Sequence, residues 1–170
     1  MSKMPNHKNL SEKKTAGPYL AAAIFCETII EDKQDNVLSA IRIIDTFTMT
    51  LAASTPPDVP SEKNRLPVNV NGLLIFKTGS STKKTHALRI VMQSPSGKRG
   101  KVLEETIPFP PEPQASANVR LATTIAVKEG GLFWMDVFLD TKRLARMPLM
   151  IHIQRQELAP HSPIKSDATS

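Results

Sequence analysis

The chain has 170 residues, of which 40% are apolar and 22% charged, with a formal charge of +6. That length suits one domain, burying roughly two-thirds of the surface its unfolded chain exposes. The single cysteine, Cys26, excludes an intramolecular disulfide and makes the cytoplasm the expected compartment; the moderate charge does not by itself signal nucleic-acid binding.

Taken in chain order, residues 1–17 are polar and almost free of large apolar side chains, so they are expected to form a disordered basic tail. Four Lys against one Glu over residues 1–16 account for half of the excess charge. No apolar signal region follows these lysines, and no run approaches the roughly eighteen apolar residues of a membrane span. The expectation is a chain neither secreted nor membrane-spanning, in which the Asn9-Leu10-Ser11 sequon is a chance match.

The body, residues 18–155, is predicted to be a β-sandwich domain, followed by a second disordered tail, residues 156–170. The alanines of Leu20 to Ile30 suit a helix, but the turn cluster Glu31 to Asn36 and the β-rich run that follows favour a hairpin. That run, Val37 to Leu51, alternates Ser39, Ile41, Ile43, Asp45, Phe47 and Met49 against an opposite set, as one strand buried chiefly on one side would. Prolines make Ala52 to Pro67 and Pro108 to Asn118 connections. Val68 to Lys77 is expected to pair with His86 to Gln93 across the loop Thr78 to Thr85. The turn Ser94 to Gly97 leads into Val102 to Ile107. Leu121 to Lys128 reads as a tight hairpin through Glu129-Gly130-Gly131 with Leu132 to Leu139, and Pro148 to Ile153 follows, so that residues 130–153 form a hairpin laid over a core. The fold class is all-β: a two-sheet antiparallel β-sandwich, immunoglobulin-like or similar, of about seven or eight strands.

The strand patterns AAIFCETIIEDKQDNVLSAIRIIDTFT, GLLIFK with a later SPSGK, and LFWMDVFLD with RMPLMIHI resemble a family of short bacterial β-sandwich proteins, a domain of unknown function. The resemblance covers residues 19–153. It implies the sandwich fold and a bacterial setting, and it brings no catalytic residues with it.

Chemical motifs are largely missing, and no catalytic residue, metal ligand set or cofactor is assigned. There is no G-x-S-x-G elbow, and Cys26 reads as a buried structural thiol. His7, His86, His152 and His161 are too scattered for a metal set. His86 shares strand parity with Leu88, Ile90 and Met92, which places it at a core margin, whereas the parity of His152 exposes it. Thr78 to Thr85 lacks P-loop spacing and reads as a solvated loop. Asp45 and Asp136 fall at positions that would bury them in part, where burial or a partner could shift their titration. Structural pairing is the ordinary role for such acids, and an unrecognised hydrolase or sugar-binding enzyme is the catalytic alternative.

If every strand crosses the domain once, Lys83, Lys84, Lys142, Arg143 and Arg146 gather at one end and Lys63, Arg65, Lys98, Arg99 and Lys101 at the other. Solvation is the ordinary role of such ends, and nonspecific nucleic-acid binding is a second alternative. In Leu132 to Leu139 both parities are apolar: Phe133, Met135, Val137 and Leu139 against Trp134 and Phe138. One set faces the core; the other is covered by a Pro-rich connection or exposed as a binding patch. The expected function is therefore a non-catalytic binding module for protein–protein interaction or assembly. Candidate binding residues are Trp134, Phe138, Lys98, Arg99 and Lys101, the partner is an unspecified protein, homo-oligomerisation is open through sheet edges, and neither a membrane nor nucleic acid is the expected partner.

Overall fold

The computed structural model describes residues 17–156. The two expected tails, together with His7 and His161, lie outside the described residues but for Gly17 and Gln156. The described chain is all-β: β1 (Tyr19–Glu31), β2 (Leu38–Ile44), β3 (Thr46–Leu51), β4 (Leu66–Lys77), β5 (Thr85–Gln93), β6 (Arg99–Pro108), β7 (Ser116–Val127), β8 (Gly131–Leu139) and β9 (Lys142–Arg155). They form a four-stranded sheet in the order β2-β1-β4-β7 and a five-stranded sheet in the order β3-β9-β8-β5-β6.

Period-two alternation makes these strands. On β8, Phe133, Met135, Val137 and Leu139 are buried, and on β4 so are Val68, Val70, Leu74 and Phe76. With Leu88, Ile90, Leu149 and Ile151 they belong to one core cluster drawn from both sheets. Each fully buried side chain of this kind contributes about 1.5–3 kcal/mol, so the core holds the two sheets together.

Three expected hairpins are present: β1–β2, β5–β6 and β8–β9 are antiparallel neighbours. Five expectations are corrected. There are nine strands, and the five-stranded sheet is mixed, because β3 runs parallel to β9. The run Val37 to Leu51 is two strands, not one. It bends at Asp45, whose carbonyl accepts from Met150 N at 3.0 Å, and the chain changes sheet there because Thr46 to Leu51 gains a ladder on β9.

Nor does β4 pair with β5. β4 lies between β1 and β7, and β5 between β6 and β8. The segment joining β4 to β5 crosses between sheets beside the β6–β7 connection, and the two satisfy each other's backbone: Thr78 N donates to Ala115 O, Gln114 N to Gly79 O and Phe109 N to Lys84 O. Likewise Glu129-Gly130 is a crossing, and β7 and β8 belong to different sheets. Glycine is needed there for closeness, since a Cβ on Gly130 would come within 3.0 Å of Ile151 O.

Candidate binding face on the five-stranded sheet

The core-facing parity of β8 leaves Leu132, Trp134, Asp136 and Phe138 on its other face. Across β8 the ladders place Gln93 beside Trp134, Val91 beside Asp136 and Arg89 beside Phe138 on β5, and Pro148, Arg146 and Arg143 beside the same three residues on β9. One strand further out, β6 sets Arg99 opposite Gln93, Lys101 opposite Val91 and Glu104 opposite Arg89. Directly opposed residues share a face. The outer surface of this sheet therefore gathers four arginines from three strands around a Trp–Asp–Phe stripe.

Asp136 is the centre of the array. Its side chain is only 1% exposed, yet Arg143 Nη1 stands 3.5 Å and Arg146 Nε 3.7 Å from Oδ1, and Arg99 Nη2 3.8 Å from Oδ2. These are ion-pair separations, and Oδ1 accepts no hydrogen bond among the described residues. The two rings are roofed by guanidinium groups: Arg146 lies 4.7 Å above Trp134 and Arg89 4.4 Å above Phe138. Such stacking orients the cation while leaving its edge free to bond outward. Gln93 Oε1 ties the array together, accepting from Arg146 Nη2 at 2.8 Å and Arg99 Nη2 at 3.3 Å. One enclosed carboxylate faces three guanidinium groups, so the face keeps an excess of positive charge with donors turned to solvent.

Of the five candidate binding residues, Trp134, Phe138, Arg99 and Lys101 meet on this face. Lys101 is engaged there by Glu104 at 2.6 Å, and the Lys101 ammonium, as hydrogen-bond donor and nearby charge, holds the Glu104 carboxyl below its usual range. Lys98 does not join them. It bonds Glu62 at 2.8 Å, in a cluster where Lys128 and Arg65 bind the same carboxylate. Those bonds, from Lys128 first and then Lys98, lower the Glu62 pKa to about 2.

The expected division of cations between two ends is corrected too. Arg99 from one predicted group and Arg143 and Arg146 from the other converge on Asp136, because they lie within β6 and β9. Neither expected fate of Trp134 and Phe138 is met in full, since arginine side chains, not a Pro-rich connection, lie over both rings. No protein-family model and no curated protein matches this chain.

The acidic candidates separate. Asp45 is exposed at its bend, against expectation, because the strand ends just before it. Asp136 is buried as expected. A cavity of about 670 Å³ between β6 and β7 is lined along Glu105 to Pro110 and Ser116 to Arg120, and neither acid reaches it. Among the described residues no three His, Cys, Asp or Glu side chains gather as metal ligands, and no helix is long and apolar enough to cross a membrane. Cys26 is buried and free, and burial pushes its thiol pKa up, as for a structural cysteine.

Sequence reasoning missed two features. Arg89 has the parity of Val91 and Gln93 and was readable as outward-facing. Asp140 was not singled out, although it takes a left-handed conformation (φ 53°) in the β8–β9 turn, a place where aspartate is favoured. There it accepts from His86, which is 3% exposed at the margin of the core. His152 is exposed, as its parity implied.

Proposed function

We propose that the chain is an immunoglobulin-like β-sandwich acting as a non-catalytic binding module, in protein–protein interaction or assembly, and that its partner docks on the arginine-covered face of the five-stranded sheet. One observation carries the reading: guanidinium groups from β6 and β9 surround a single buried carboxylate, Asp136. Such an array is costly to gather unless its excess charge meets an acidic surface, which also gains from pre-oriented arginines. Aromatic residues with arginine are the side chains that dominate protein interfaces.

Protein is preferred to nucleic acid because a guanidinium group already stacks on each ring, where a base would otherwise stack. The hydrolase alternative finds no support in the acids that motivated it, since Asp45 is exposed on a bend and Asp136 is closed in by arginines. The bacterial family and the cytoplasmic setting belong to the same proposal, supported by the strand patterns and by a lone buried cysteine.

The test is affinity capture by the full chain from a bacterial lysate at low and high salt, beside the double variant Arg143→Glu, Arg146→Glu. A protein held by the unmodified chain and lost by the variant is expected. A partner retained equally by both would remove the face from the interaction, and nuclease-sensitive material alone would favour nucleic acid.

A further inference from the structure

We propose that copies of this chain assemble head to tail, the β1–β2 hairpin of one copy docking on the arginine-covered face of the next. This rests on the reading of that face as a docking surface and names its occupant.

The hairpin runs on past its ladder with β4. The ladder between β1 and β4 ends at Cys26 opposite Asn71, whereas that between β1 and β2 runs on to Glu31 opposite Leu38. From Glu27 onward the two strands ladder with each other alone, while side chains tie the arm to its own sheet: Asn71 Nδ2 donates to Glu27 O at 2.7 Å and Arg120 of β7 pairs with Glu31. The register Cys26↔Ile43, Thr28↔Ile41, Ile30↔Ser39 puts Ile43, Ile41 and Ile30 on one side of that arm. They are 68%, 42% and 52% exposed, and Val37 beside the turn is 54% exposed. Among the described residues the one other large apolar side chain so exposed is Leu132, which belongs to the arginine face. Exposed apolar surface is thus confined to two places, and both are needed for one interface.

Charge joins them. The apex, Glu31 to Asp35, carries three carboxylates against Lys33, on a chain whose total is +6. The turn holds two of these carboxylates in place: Asp32 Oδ1 accepts from Gln34 N at 2.8 Å and Asp35 Oδ1 from Val37 N at 3.0 Å, while Asn36 takes a positive φ of 58°. Further down the arm, Arg42 is matched by Glu27, and Glu31 is itself paired with Arg120 of β7, so the carboxylates left to another copy's arginines are Asp32 and Asp35. An acidic, apolar finger meets a basic, aromatic floor.

The two surfaces belong to different sheets and differ in chemistry, so a two-fold pair would have to exchange both at once and would stop at a dimer. A heterologous contact matches them, and it propagates as a ring or a filament. The apex carboxylates would meet the outward edges of Arg99, Arg143 and Arg146, and the isoleucines would lie beside Leu132.

Sedimentation of the full chain over a concentration series tests this, with Ile41→Lys as hairpin variant and Arg143→Glu as face variant, each first shown to keep the thermal transition of the unmodified chain. The expected result is a mass that climbs past a dimer with concentration and falls in high salt, monomers for each variant alone, and a one-to-one complex that stops there when the variants are mixed. A monomer at every concentration overturns the proposal. So does a mixture of variants that fails to combine, which would indicate a like-with-like contact. If the unmodified chain stays monomeric while Arg143→Glu still loses a captured acidic protein, self-assembly falls and the reading of the face as a docking surface stands.

Discussion

His86 Nδ1 and Asp140 Oδ2 lie 2.8 Å apart, the imidazole buried and the carboxylate at the surface of the β8–β9 turn. Asp140 Oδ1 also accepts from Ala87 N and Lys83 Nζ, both at 3.1 Å, and Asp140 N donates to Ala87 O at 2.7 Å. One residue thereby fastens the turn to the start of β5. On its other side the ring of His86 meets the edge of Phe109 at 4.6 Å, and Nε2 has no partner among the described residues. The carboxylate thus supplies the imidazole's polar contact.

Asp140→Ala is therefore expected to destabilise the fold by about 1–3 kcal/mol, since it strands a buried imidazole. Asp140→Asn, which keeps an acceptor and tolerates the left-handed backbone, should cost less. Urea denaturation of the three proteins measures both. Equal losses for the two variants would mean that the contact contributes nothing beyond charge.

The same contact sets a pH dependence. The His86 hydrogen bond, opposed by burial and aided by Ala87 N and Lys83, lowers the Asp140 pKa to about 2. A carboxyl lowered on folding stabilises above its unfolded pKa of roughly 4 and loses that contribution as pH falls through the folded value. Stability is thus expected to drop between about pH 4 and pH 2, with Glu62 titrating in the same window. Thermal midpoints across that range should fall less steeply in Asp140→Asn, and identical slopes would refute the assignment.

Asp136 separates folding from docking. Its three arginine neighbours are each at least one-third exposed, so they can turn to solvent when the carboxylate is removed. Asp136→Leu, which restores volume and removes a buried charge, is expected to stay within about 1 kcal/mol of the unmodified chain. Asp136→Ala, which leaves a cavity as well, should lose about 1–3 kcal/mol. Both lose the anchor that positions the guanidinium groups and should weaken docking together. Docking unchanged in Asp136→Leu would show that the arginines need no anchor.

Strand identity was legible where it is local. Alternation along Leu132 to Leu139 put Trp134 and Phe138 opposite Phe133 and Met135. Parity does not reveal which strand lies alongside. The bonds that turn the β4–β5 connection into a crossing run from Thr78 to Ala115 and from Gln114 to Gly79, over separations at which no local pattern speaks. For the same reason Arg99 and Arg146 could each be read as exposed cations. Their meeting at Asp136 follows from the order β9-β8-β5-β6, which is a property of the folded sheet.

Gly72 tests the packing of the four-stranded sheet. It sits within β4 at core parity, where a Cβ would come 2.8 Å from Ile24 O and 3.6 Å from Phe25 Cδ1. A strand backbone held on both sides cannot retreat from a carbonyl as a flexible side chain would. Gly72→Ala is expected to cost about 1–3 kcal/mol, against the usual gain from replacing a strand glycine. A denaturation midpoint equal to or above that of the unmodified chain would show that β1 gives way there.

Trp134 is the chain's single tryptophan, so its fluorescence reports on the arginine face alone. With Arg146 stacked 4.7 Å over the indole, the ring is partly shielded from water. Arg146→Ala is expected to shift the emission to longer wavelength with a stability loss of about 1 kcal/mol or less, the scale of an exposed cation–π contact. The same substitution removes one of the three guanidinium groups at Asp136 and the 2.8 Å bond to Gln93, so affinity for an acidic partner should fall along with the spectral change. Titrating that partner into the unmodified chain should move the emission as the interface covers the face. A spectrum indifferent both to Arg146→Ala and to a bound partner would place docking elsewhere on the molecule.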